Sequence, residues 1–151
     1  MADSNSRHKM CGVRTLHPAY RVNDLAASLD FYTTLGYGKV GRVDMDDGSS
    51  LTMLKFPSED LVTLELVHRP HDRPVEVGTG FSHIAVQVDD LDATVERLSR
   101  SGLGPEPIEH PGGPDGPKTA WLTDPDGYRI ELVQWPPGHA AGITAADFAG
   151  A

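Results

Sequence analysis

Cysteine is nearly absent: Cys11 is the only one in 151 residues. One thiol cannot close an internal disulfide, and it excludes zinc sites built from several cysteines. A reducing, cytoplasmic setting is the expectation. Basic residues are also scarce, with 13 Lys and Arg against 22 Asp and Glu for a net charge of −9. Nucleic acids and anionic membranes both require a basic face, so neither is an expected partner. No apolar run approaches the ~20 residues of a membrane span. The opening MADSNSRHKM lacks the apolar stretch of a secretory signal. The rest, 38% apolar and 23% charged, suits one globular domain that buries about two-thirds of its unfolded surface.

The most informative feature present is an internal repeat. Shifted by 66 residues, HPAYRVNDLAASLDFYTTLGYG (17–38) lies over HIAVQVDDLDATVERLSRSGLG (83–104) without a gap. His17 meets His83, Ala19 meets Ala85, Asp24 meets Asp90, and Gly36 meets Gly102. The same offset puts Glu65-Leu66-Val67 on Glu131-Leu132-Val133. The expected organisation is one domain over 13–136, made of modules 13–70 and 79–136 joined by the linker 69–80. Tails are expected at 1–12 and 137–151, the second with a short helix near Ala145 to Phe148.

Each module reads as strand, helix, then three strands. In the second, Ile84, Val86 and Val88 alternate on one face of a strand. Leu91, Val95 and Leu98 recur at helical spacing, with Asp89 or Asp90 as the N-cap and Gly102 as the stop. Strands are expected near Glu106 to His110, Lys118 to Thr123 and Tyr128 to Trp135, with TDPDG as the turn between the last two. In the first module LAASLDFYTTLG is the helix, and strands follow near Lys39 to Met45, Leu51 to Phe56 and Leu61 to His68. The class is α+β. Two tandem βαβββ modules would set their sheets side by side as an open, cup-shaped mixed sheet.

The repeat gives each module a His on its first strand and a Glu on its last. Leu64 and Leu66 take the apolar face, so Glu65 points the other way. Glu131, between Ile130 and Leu132, does the same. His17 and His83 point away from their apolar neighbours. All four would face the inside of the cup. An unpaired carboxylate in a partly closed cavity is costly, and a divalent cation removes that cost. Two imidazoles with two carboxylates suit Zn, Ni, Co, Fe or Mn better than Ca or Mg. The competing reading pairs each Glu with an arginine, for which Arg21, Arg69 and Arg129 are available. Recurrence of all four residues in register favours one divalent metal held by His17, Glu65, His83 and Glu131.

The strings RVNDLAASLDFYTTLGY, TLELVH, GTGFSHIAVQVDDLDA and DPDGYRIELVQW resemble glyoxalase I (lactoylglutathione lyase) of the vicinal oxygen chelate superfamily. The likeness covers nearly all of 15–135 and implies the glyoxalase, bleomycin resistance and dioxygenase fold. It implies a carbon–sulfur lyase that isomerises the hemithioacetal of methylglyoxal and a thiol to an S-lactoyl thioester through a cis-enediolate. Glu131 is the implied base, and Glu65 a ligand or secondary acid. Ni2+ or Co2+ is favoured, with Zn2+ as an alternative. Glu65 is the most discriminating residue, because similar methylmalonyl-CoA epimerases usually place Gln there. Arg21, on the face of His17, matches a position that contacts glutathione carboxylate. Arg69 stands where glutathione-using relatives commonly carry Asn, and Arg21 and Arg69 are the expected substrate-binding pair. A small-molecule substrate, a thiol adduct, is the expected partner. The family commonly completes each site from two chains, which implies a homodimer, and the linker is long enough to allow it. The alternatives are another enolate-forming epimerase or isomerase of the superfamily, and a non-catalytic binding protein of the antibiotic-resistance type.

Other motifs carry less. GYGKVG (36–41) follows a helix and enters a strand, the reverse of a dinucleotide fold. DMDDG (44–48) lacks calcium-loop spacing and reads as a hairpin turn. His68 and His71 read as a solvated pair, and Cys11 as incidental.

Overall fold

The computed structural model describes residues 12–139 and 142–150. The N-terminal tail up to Cys11 therefore lies outside the described residues. The first module runs β1 (Ala19–Val22), α1 (Leu25–Leu35), β2 (Gly38–Asp44), β3 (Ser50–Lys55) and β4 (Leu64–His68). The second runs β5 (Ile84–Gln87), α2 (Leu91–Arg100), β6 (Lys118–Thr123) and β7 (Arg129–Gln134). A 3-10 turn spans Ala145–Phe148, where the sequence places a short helix.

The helices start and stop for local reasons. Asp24 accepts a 3.0 Å bond from the Ala27 N–H, and Asp90 accepts one of 3.0 Å from Ala93 N–H. Each cap is worth about 1 kcal/mol. Gly36 at φ 133° and Gly102 at φ 83° turn the chain out of the helices through backbone that a side chain disfavours. Buried Leu25, Ser28, Phe31, Tyr32 and Leu35 form one stripe of α1, and its apolar members join the core cluster.

The sheets have orders β1-β4-β3-β2 and β5-β7-β6. In both modules the first strand pairs in parallel with the last, in the same register. Ala19 lies opposite Glu65, and Ala85 opposite Glu131. Period-two burial follows: Leu64 and Leu66 are buried while Glu65 and Val67 are half-buried on the open face.

One expected strand does not form. Glu106 to His110 makes a single bridge, Glu109 to Thr119, and a 2.9 Å bond from Glu106 N–H to the Trp121 carbonyl. Pro105, Pro107 and Pro111 supply no N–H, so a continuous ladder lacks its donors. The second sheet consequently has three strands. The hairpin expected at DMDDG is present, closed by Met45 N–H to the Ser49 carbonyl at 2.8 Å.

The TDPDG turn does more than reverse the chain. Asp124 is buried, and its carboxylate accepts a 2.8 Å bond from the Tyr32 hydroxyl and bonds from Asp126 and Tyr128 N–H. Tyr32 accepts in turn from Tyr20, and Tyr20 stacks on Tyr128 with ring centroids 4.0 Å apart. Arg97 on α2 donates to the Thr34 and Leu35 carbonyls at the end of α1. The linker is tied down as well. Val75 N–H bonds Asn23 Oδ1 at 2.7 Å, and Val75, Val77 and Phe81 pack against the core. One apolar cluster thus runs through both modules.

Candidate metal centre

The paired registers decide where the four candidate ligands go. His17 lies two residues before β1, and His83 one residue before β5. Each is two residues upstream of an alanine, so it shares that alanine's face. Each alanine sits directly beside the glutamate. A methyl group there leaves the space above the carboxylate open, and the imidazole reaches over it. His17 Nε2 stands 2.7 Å from Glu65 Oε2, and His83 Nε2 stands 3.0 Å from Glu131 Oε2. All four side chains are partly buried, between 15% and 33% exposed. Ala19 and Ala85 were visible as repeat-mates in the sequence, but their spacer role appears only with the register.

The competing pairing with arginines does not occur. Arg129 makes two 2.8 Å bonds to Glu106, which hold its guanidinium above the usual arginine value. Arg21 Nε and Arg69 Nη1 approach Asp72 Oδ2 at 3.8 and 3.7 Å. Both glutamates are left to the histidines.

The donors fit a transition-metal ion. Two ligands cis to each other, each about 2.1 Å from a shared ion, lie about 3 Å apart, which matches both His–Glu separations. Nitrogen with carboxylate oxygen suits the later divalent metals. The pairs remain two pairs, however. Among the described residues, no three His, Cys, Asp or Glu side chains come together within one chain. Each His–Glu pair stands by itself among the described residues.

Arg21 and Arg69 lie along the same open face. Arg21 is opposite Val67 in the β1–β4 register, and Arg69 follows β4. A cavity of about 300 Å³ begins there, lined by Leu51, Val67, Arg69, His71 and Asp72 among others. Arg21 donates to the Arg73 carbonyl at 2.5 Å, while its buried Nε has no hydrogen-bond partner among the described residues. Asp72, which sequence reading passed over, brings the two arginines to one place. His68 ends β4, and the exposed His71 lines the cavity.

A family model described as the Glyoxalase/Bleomycin resistance protein/Dioxygenase superfamily matches residues 14–132. The lactoylglutathione lyase of Neisseria meningitidis serogroup A is 37% identical over 81% of this chain and 91% of its own length. A probable lactoylglutathione lyase of Synechocystis is 34% identical over 79% of this chain and 93% of its own. Among solved structures, the trypanothione-dependent glyoxalase I of Leishmania major superposes with a TM-score of 0.66 at 30% identity, over 82% of this chain and 87% of that one.

Proposed function

Given a chain that belongs to the Glyoxalase/Bleomycin resistance protein/Dioxygenase superfamily and is a lactoylglutathione lyase-like enzyme, we propose that it isomerises the hemithioacetal of methylglyoxal and a thiol. The product is the S-lactoyl thioester. The observation that carries this reading is the pair of equivalent half-centres, His17 with Glu65 and His83 with Glu131, at 2.7 and 3.0 Å. Those four residues would hold one divalent ion, with Ni2+ or Co2+ favoured and Zn2+ as an alternative.

Each half-centre supplies two donors, and two half-centres complete a site. Within a chain the Tyr20, Tyr32 and Asp124 contacts and the docked linker join the modules. The second half-centre then comes from another copy, so the working unit is a homodimer with His17 and Glu65 from one protomer and His83 and Glu131 from its partner.

Held by those four residues, the divalent ion would supply Lewis acidity to the substrate. Glu131 takes the proton from the carbon that bears the sulfur, and the electron pair moves into a cis-enediolate. The neighbouring carbon is then protonated, with Glu65 as a ligand or secondary acid. Hydrogen moves between adjacent carbons and nothing is oxidised overall. Proton abstraction requires the base within about 3 Å of the C–H, and a carboxylate on the open face beside an alanine has that freedom. Arg21 and Arg69 bind an anionic group on the thiol. The single cysteine is consistent with a cytoplasmic setting. Among the described residues no helix is long and apolar enough to cross a membrane.

The test is turnover of the methylglyoxal–glutathione adduct by metal-stripped protein before and after Ni2+ is added. Activity only with the metal is the expected result. No turnover with any of Ni2+, Co2+ or Zn2+ would sink the reading in favour of another superfamily reaction or simple binding.

A further inference from the structure

The repeat relates the two arginines to a second pair of residues. Shifted by 66, Arg21 falls on Gln87 and Arg69 on Trp135. Both pairs stand on the open face. Gln87 lies opposite Val133 as Arg21 lies opposite Val67, and Trp135 follows β7 as Arg69 follows β4. Where the first module carries two cations, the second carries two neutral side chains.

Those two side chains are bonded to each other and to the end of the chain. Gln87 Oε1 accepts from Trp135 Nε1 at 3.0 Å and from the Gly142 N–H at 2.8 Å. A carboxamide oxygen has two lone pairs, and both are taken. His139 stacks on Trp135 with planes at 25° and approaches Asp147 at 3.7 Å. Asp147 in turn accepts from the Thr144 N–H and hydroxyl.

Burial differs accordingly. Val67 and Val133 are the same residue at equivalent register positions. Val67 is half-buried and lines the cavity of about 300 Å³ with Arg69, whereas Val133 is only 7% exposed. Trp135 does line a cavity, of about 280 Å³, but with Gln134 and Lys118. Those two pair across the ladder next to Val133 and so belong to the opposite face of the sheet.

A site made of one half-centre of each kind therefore has unlike ends. An anionic thiol meets cations and open space at Arg21 and Arg69. At the other end it meets the indole and a carboxamide oxygen already occupied. The thiol thus belongs at the arginine end, and the group carried by the aldehyde points toward Gln87. Gln87 lies two residues, about 7 Å, beyond Ala85, which sits beside Glu131. We propose that Gln87 and Trp135, held with the C-terminal segment, form the closed end of the site, receive the aldehyde-derived group of the adduct and limit its size. This specificity-determining role rests on the proposed function.

The experiment compares kcat/KM for the glutathione adducts of methylglyoxal and of the bulkier phenylglyoxal, with full-length protein supplied with Ni2+. Trp135→Ala removes the indole, and Gln87→Leu removes the acceptor that holds both the indole and Gly142. Each should raise the phenylglyoxal-to-methylglyoxal ratio by about tenfold. Trp135→Phe keeps an aromatic ring without the N–H and should raise the ratio less. Arg69→Ala acts at the other end, so it should weaken both adducts alike and leave the ratio at the parent value. A parent that turns over both adducts, with a ratio unmoved by Trp135→Ala and Gln87→Leu, overturns the inference alone. A ratio moved as far by Arg69→Ala overturns the division into two ends. A parent that turns over neither adduct removes the proposed reaction, and the inference with it.

Discussion

Trp121 stands directly across the β6–β7 ladder from Glu131, whereas Glu65 has Met53 in the equivalent place. Facing side chains in an antiparallel pair are about 5 Å apart, so the indole shields one side of the Glu131 carboxylate. A substrate on the open face would shield the other. Glu131→Gln is expected to lower kcat by about 10²-fold or more, and Glu65→Gln by less, at matched metal content. A larger loss for Glu65→Gln would reverse the two roles.

Metal dependence should follow the four ligands. Chelation is expected to abolish turnover, and Ni2+, Co2+ or Zn2+ to restore it. His17→Ala and His83→Ala should each lower metal content measured on purified protein. Full retention by both variants would place the ion elsewhere.

Sharing of sites between protomers has a direct complementation test. A chain carrying His17→Ala and Glu65→Gln has a dead first half-centre; one carrying His83→Ala and Glu131→Gln has a dead second. Each is inactive alone. Unfolded together and refolded, randomly paired chains should recover about a quarter of native activity, because half of the dimers then hold one intact site. No recovery, or a monomer by light scattering with full metal content, would assign the site to one chain.

Arg69 reaches the cavity beside β4 from outside the His–Glu pair. Arg69→Ala is expected to raise KM about tenfold with little change in kcat, the mark of uniform binding lost. Asp72→Asn should lower KM for an anionic thiol, since Asp72 competes for both arginines. Steady-state kinetics on both variants check this. A fall in kcat alone would show that neither arginine binds substrate.

Burial raises the carboxyl of Asp124 above the ordinary Asp value, which makes stability depend on pH. A carboxyl raised on folding contributes stability that is complete below its unfolded value and is lost as pH rises through its folded value. Asp124→Asn keeps the acceptor for the two backbone N–H groups, and urea titrations should show it lacking that loss. Asp124→Ala leaves the Tyr32 hydroxyl and both N–H groups without this acceptor and should cost about 2–3 kcal/mol below the ordinary Asp range. Parallel pH profiles for the parent and Asp124→Asn would refute the assignment.

Much of this was legible in the chain because it is periodic. Alternation in LVTLELVH and YRIELVQW reports which side chains share a face, and Asp24, Asp90, Gly36 and Gly102 mark helix ends through purely local chemistry. The strand expected at Glu106 to His110 failed on equally local grounds, since apolar alternation cannot replace the N–H groups that three prolines remove. The family resemblance and the candidate ligands likewise rest on residues that recur at one fixed offset.

By itself, then, the sequence determined the repeat, the helix boundaries and the four residues that pair. These depend on neighbours a few positions away or on a repeat that can be read by sliding the chain. Tertiary structure alone decided that Ala19 and Ala85 lie beside the glutamates, that Asp72 draws Arg21 and Arg69 together, and that Trp135 and Gly142 meet on Gln87. It also decided that the two His–Glu pairs stay apart among the described residues. The modules are joined by Tyr20 on Tyr128, Tyr32 on Asp124 and Arg97 on the end of α1. Such contacts join residues tens of positions apart, where no local period links one partner to the other, and packing of the modules fixes them.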